Sequence, residues 1–346
     1  MTLFLSTMKS LFLPIVLLVC LGLVAGCGKK TPQQESPAGS KVGLVFDVGG
    51  RGDKSFNDAA FRGLERAKKE LAVDFEYIEP GPGADRESAL RQLANRHDIG
   101  LIFGIGFIFT DDVTNIAREF PDKRFACVDY TLDSTRVMPP NLVALGFKEE
   151  EGSFLVGALA SLMTKTNFIG FIGGMQSPLI RKFEAGYVAG SKYANPKCQV
   201  LIAYAGVTGD AFKNPGKGKE LALGQYSQSA DIVYHASGVT GLGVFEAARE
   251  VHKLAIGVDS DQFHEAPGYV LTSMTKMVDN AVFETIKALK NGTFKGGVVT
   301  TLGLKSKGVD YIYDENNKDL IPETVHAKVE DIRDKIISGV IAVPCQ

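Results

Sequence analysis

Lys41-Val-Gly-Leu-Val-Phe-Asp47 reads as a short buried strand that stops at a carboxylate. Directly behind it, residues 55–71 place Ala60, Phe61, Leu64, Ala67 and Leu71 on one helical face. An apolar run too short for a helix, then a glycine-bearing turn, then an amphipathic helix, is the unit from which parallel sheets are built. The same unit continues downstream. Strand-like runs are expected at 75–78, 99–103, 124–128 and 143–146, with helices at 86–94 and 111–118 between them.

The pattern then starts again. A helix is expected at 149–163, a strand at 168–172 ending in Gly173-Gly174, a helix at 179–193, and strands at 199–204 and 256–258. A strand at 270–273, a helix at 278–289, short strands up to Tyr313 and a last helix at 323–337 follow. Two series of this kind predict an α/β protein with two doubly wound lobes. The surplus after Asp259 predicts that the chain crosses between lobes more than once. Open parallel sheets bind ligands beyond the carboxyl ends of their strands, and here those ends carry Asp47, Asp129, Ser237-Gly238 and Asp259.

The N-terminal 27 residues have a different character. Lys9 precedes an apolar run from Leu11 to Val24, and Ala25-Gly26-Cys27 follows, which is the order of a secretory signal. Met1 and Met8 both serve as possible starts. Leu23-Val-Ala-Gly-Cys27 resembles a bacterial lipobox, which implies a signal peptide over 1–27 and acylation of Cys27, palmitate included. Residues 28–40, rich in Lys, Pro, Gln, Ser and Gly, read as a flexible tether.

Composition narrows the function. With 38 basic and 40 acidic residues and no long block of one sign, the chain carries no electrostatic footprint for nucleic acid. No G-x-S-x-G, H-E-x-x-H or G-x-x-x-x-G-K-[ST] is present, and the five histidines are scattered. Neither metal, cofactor nor nucleophilic catalysis is expected. Gly-rich Val48-Gly-Gly-Arg-Gly52 lacks the G-x-G-x-x-G spacing of a dinucleotide site. Cys127 is expected as a core thiol, while a Cys198–Cys345 disulfide is left open, because pairing cannot be read from spacing.

Five motifs then occur in order: Phe46-Asp-Val-Gly-Gly50 with Asp53-Lys-Ser-Phe-Asn57, Ser237-Gly-Val-Thr-Gly241, Gly257-Val-Asp-Ser-Asp-Gln262 and Leu271-Thr-Ser-Met-Thr-Lys276. They closely resemble the basic membrane protein family of lipoproteins, whose best understood members resemble purine nucleoside receptors of ABC transporters. The resemblance spans 41 to about 337. It implies a type I periplasmic-binding-protein fold, two Rossmann-like lobes joined by a three-segment hinge, with a first lobe of 41–146 plus 262–293 and a second of 147–261 plus 294–346.

By the same resemblance Phe56 and Phe212 would clamp the faces of a purine, Asp47, Asn57 and Asp129 would meet its edge, and Gly238, Asp259 and Lys276 would meet the ribose. Asp53 is expected as a loop-capping group, since it lies close to Asp47. The implied function is capture of adenosine, guanosine or inosine by a monomer held at the cell membrane by its lipid, on the extracytoplasmic or periplasmic side, and delivery to a permease. Receptors for riboflavin or another aromatic heterocycle, a nucleoside-processing enzyme and a surface adhesin are the competing classes.

Overall fold

The computed structural model describes residues 39–80, 86–133 and 137–346. The signal, Cys27 and nearly all of the expected tether lie outside the described residues.

Strands β1 (Lys41–Val45), β2 (Phe75–Ile78), β3 (Ile99–Ile105), β4 (Arg124–Val128) and β5 (Leu142–Phe147) alternate with helices α1 (Phe56–Leu71), α2 (Arg86–Ala94) and α3 (Thr110–Glu119). The second series runs α4 (Glu149–Met163), β6 (Phe168–Met175), α5 (Pro178–Ala194), β7 (Gln199–Gly206), α6 (Pro215–Ser227), β8 (Ile232–Ala236), α7 (Gly241–Glu250) and β9 (Leu254–Asp259). After it come β10 (Val270–Lys276), α8 (Val278–Lys290), β11 (Val298–Leu302), β12 (Val309–Tyr311) and α9 (Glu323–Ile337). The apolar runs are strands because each is too short for a helix, and inner strands such as β3, β8 and β10 are buried on both faces.

The strands form two sheets of six, ordered β11-β5-β4-β3-β1-β2 and β12-β10-β9-β8-β6-β7. All neighbours are parallel except β12, which runs antiparallel to β10. In each sheet the chain steps from its first strand, β1 or β6, to the edge beside it and then back across the other side. The two switch points, β1/β3 and β6/β8, are where a doubly wound sheet opens a crevice.

The chain passes between the lobes at three places, Phe147–Glu149, Lys276–Val278 and Leu302–Leu304. Lys148 N–H donates to Leu302 O at 2.9 Å and Met277 N–H to Gly308 O at 2.9 Å, which ties the three crossings together. These crossings correct the expected segment limits. Val270–Lys276 pairs with β9 in the second sheet, not the first, and Val298–Leu302 pairs with β5 in the first sheet, not the second. The physical reason is burial: all seven residues of β10 are buried, which requires a neighbour on each side, and β9 and β12 supply them.

Candidate functional site

All eight residues singled out from the sequence line one cleft between the lobes: Asp47, Phe56, Asn57, Asp129, Phe212, Gly238, Asp259 and Lys276. The cavity in the cleft is about 60 Å³, smaller than a typical small-molecule site. It lies over the carboxyl ends of β1, β4, β8, β9 and β10.

Asp47 leaves β1 and turns at once. Its Oδ1 accepts its neighbour's N–H from Val48 at 2.6 Å, and its own N–H donates to Asn57 Oδ1 at 2.9 Å. The carboxylate rests against Gly106, where a Cβ would stand 2.0 Å from Oδ2; with φ of +106 that position admits only glycine at low cost. Asp53 caps α1, as expected. Its carboxylate accepts from the N–H groups of Ser55, Asn57 and Asp58 at 2.8–3.1 Å and from Asn57 Nδ2 at 3.1 Å. Those bonds satisfy the orphan donors of the first turn and point the α1 N-terminus, with Phe56, into the cleft.

Asp129 follows β4 and Asp259 ends β9, and both have φ of +62. Side chains other than Asn, Asp and Gly rarely adopt that conformation, and it turns each carboxylate out of its strand into the cleft. Each is met by a donor from the opposite lobe. Lys276 Nζ reaches Asp129 Oδ2 at 2.7 Å and lies 2.9 Å from Glu149 Oε1. Ser55 Oγ–H donates to Asp259 Oδ2 at 2.5 Å. Ser260 Oγ–H also donates to Ser55 O at 3.1 Å, and Arg62 donates to Ser260 Oγ at 2.8 Å. Cross-lobe bonds of this number define a closed arrangement.

The charge balance is uneven. Burial pushes Asp47 up to about 7. Burial also pushes Asp259 up to about 7, although Lys276 and the Ser55 hydroxyl oppose it. Burial alone would lower Lys276, but Asp129, Glu149 and Asp259 outweigh it and hold the ammonium charged. Lys276 also faces the rings of Phe147, Phe56 and Phe183 at 5.0, 5.1 and 5.6 Å, so its charge is surrounded by carboxylates and aromatic faces.

The walls are apolar. Phe56 comes from the first lobe and Phe212 from the second, and both are half-buried. The Phe212 ring lies on Gly174, where a Cβ would come within 2.3 Å of it, and meets Phe107 edge-on at 6.4 Å. Ser237, one of the strand-end positions read from the sequence, also lines the cleft, with Phe107, Leu179, Ile180 and Phe183, which were not picked out from the sequence. The strand-end rule could have found Phe107, which follows β3, and Phe183, on the opening turns of the helix after β6. Cys127, Cys198 and Cys345 are free thiols, Cys127 and Cys198 buried and Cys345 exposed. Among the described residues no cluster of metal-ligating side chains occurs, and no helix is long and apolar enough to cross a membrane.

Comparison with known proteins agrees with this fold. A family model, Bmp, described as PnrA-like ABC transporter substrate-binding protein, matches residues 40–346. A protein of Listeria innocua called CD4+ T-cell-stimulating antigen is 36% identical, over 97% of this chain and 98% of its own length. An uncharacterized lipoprotein of Pyrococcus horikoshii is 39% identical, over 87% of this chain and 76% of its own. The crystal structure of an ABC transporter solute-binding protein from Aeropyrum pernix superposes with a TM-score of 0.77 at 29% identity, covering 88% of this chain and 93% of that one.

Proposed function

We propose that this chain, which belongs to the family of PnrA-like ABC transporter substrate-binding proteins, captures a purine nucleoside between its lobes and delivers it unaltered to a membrane permease. The observation that carries the reading is the pairing of chemistries in one cleft. Aromatic rings from opposing lobes, Phe56 and Phe212, suit the two faces of a purine, while Asp47, Asn57 and Asp129 suit its edge of donors and acceptors. Asp259, with Gly238 and Lys276 beside it, suits the vicinal hydroxyls of a ribose. Asp47, Asp53, Asp129 and Asp259 together face a single lysine in the cleft lining, so a nucleotide's phosphate would enter a field of its own sign.

Capture rests on motion. A ligand that touches both lobes has more contacts when they are closed, and so it shifts the population towards closure. Small-angle scattering with and without saturating inosine is the test: the radius of gyration should fall. Confirmed binding with an unchanged radius would contradict capture by closure.

A lipid on Cys27 would hold this receptor, as a monomer, on the outer side of the membrane beside its permease. The signal-like N-terminus and the relative named a lipoprotein support it. Mass spectrometry of the mature protein should show an acylated Cys27 at the N-terminus; an unmodified N-terminus would contradict it.

A further inference from the structure

We infer that Ser237 is an acceptor-only contact in the cleft: its own proton is held by His235, so it selects ligands that present a hydroxyl or amino hydrogen to it. The inference rests on the reading of the cleft as a ligand site and adds a specificity-determining residue to it.

The argument runs outward from the backbone. Val258 N–H is buried in β9 and donates to Gln262 Oε1 at 2.8 Å. That fixes which end of the Gln262 amide faces Val258, because the opposite orientation would set two donors against each other. The same Oε1 lies 3.0 Å from His235 Nε2. An oxygen cannot donate, so Nε2 must carry the proton. His235 is fully buried, and burial pulls it down to about 4 even though the Gln262 bond favours its charged form. It is therefore neutral at physiological pH, with a bare Nδ1.

Ser237 Oγ lies 3.3 Å from that Nδ1. A bare nitrogen needs a donor, and the hydroxyl proton of Ser237 supplies it. What the Ser237 hydroxyl then has left for a ligand in the cleft that this residue lines is lone pairs only. The imidazole cannot readily turn away. Its ring packs on Gly241, where a Cβ would sit 2.0 Å from it, and meets Phe245 edge-on at 5.1 Å. Four groups, from Val258 N–H to Ser237 Oγ, thus form a relay of fixed hydrogen-bond direction that ends at the ligand.

Two measurements test it. Nitrogen-15 NMR of the histidine-labelled, unliganded protein, assigned with a His235→Gln variant, should show His235 protonated at Nε2 and bare at Nδ1. The opposite tautomer overturns the relay, and this measurement needs no ligand. Calorimetry then compares inosine with its 2′-, 3′- and 5′-deoxy forms and with purine riboside, each of which lacks one donor. In the wild type one of these should bind about tenfold or more weakly than inosine, because an acceptor would be left buried without a partner. In Ser237→Ala that analogue and inosine should bind alike. If the same analogue is penalised equally in both proteins, Ser237 does not read the donor and the proposal is wrong. Failure of the wild type to bind inosine at all would instead contradict the nucleoside reading, while the tautomer still decides the relay.

Discussion

Asp129 and Asp259 hold equivalent places in the two lobes, after β4 in one sheet and at the end of β9 in the other, with the same φ of +62. Each takes a hydrogen bond from the opposite lobe, yet the donors differ in kind. Asp129 is answered by a charge, the buried ammonium of Lys276; Asp259 is answered by a neutral hydroxyl, that of Ser55. The first contact, with Glu149, forms a buried charged cluster next to the crossings, although burial still raises Asp129. The second brings no charge, burial raises Asp259 to about 7 although Lys276 and the Ser55 hydroxyl oppose it, and in the proposed reading a ribose hydroxyl becomes a further donor to it. Two copies of one strand-end device thus differ in the partner that the opposite lobe supplies, a buried cation for Asp129 and a hydroxyl for Asp259.

The sharpest way to test this difference is to remove the charge. Lys276→Met keeps the bulk but leaves Asp129 buried without its cation and Glu149 with Lys182 alone, and should cost about 3–5 kcal/mol of stability. Denaturant unfolding reads it, and a loss below about 1 kcal/mol would mean that the cluster does not stabilise the fold. Next in size is the aromatic wall. Phe212→Ala or Phe56→Ala should weaken nucleoside binding by about 1–3 kcal/mol through lost stacking and leave the fold intact. Unfolding of Phe212→Ala with unchanged residual affinity would assign that ring to the core.

The smallest effect separates the two aspartates by pH. With a folded value near 7 against an ordinary 3.8, Asp259 keeps a proton that the unfolded chain releases, so its contribution to stability declines as pH rises from about 4 to about 7. Binding runs the other way, since only the ionised carboxylate accepts two hydroxyls. Affinity for inosine should fall roughly tenfold between about pH 8 and pH 6, and Asp259→Asn should flatten that part of the profile. An identical slope in the variant would place the titration elsewhere, with Asp47 the other group raised to about 7.

Much of this was legible in the sequence because it is local. Helical spacing from Ala60 to Leu71 and the apolar run of β1 state their own structure, and strand ends bearing Asp47, Asp129 and Asp259 announce a cleft. Sheet membership was not legible for Val270–Lys276 and Val298–Leu302. Their apolar character says strand but not which sheet, and register against β9 and β5 decides that. The cross-lobe bonds of Ser55 and the His235–Gln262 contact escaped for the same reason, since residues as far apart as Ser55 and Asp259 meet only once both lobes exist. Phe183 was hidden because an aromatic residue on a helix reads equally well as core.

Calorimetric titration with inosine, hypoxanthine and inosine monophosphate tests the central claim most directly, because the three share a base and differ only in what Asp259 and the neighbouring carboxylates meet. The account predicts that inosine binds most tightly, hypoxanthine more weakly for want of ribose hydroxyls, and the monophosphate more weakly because its charge enters an acidic cleft. Monophosphate binding as tight as inosine, or no binding of inosine, would contradict it.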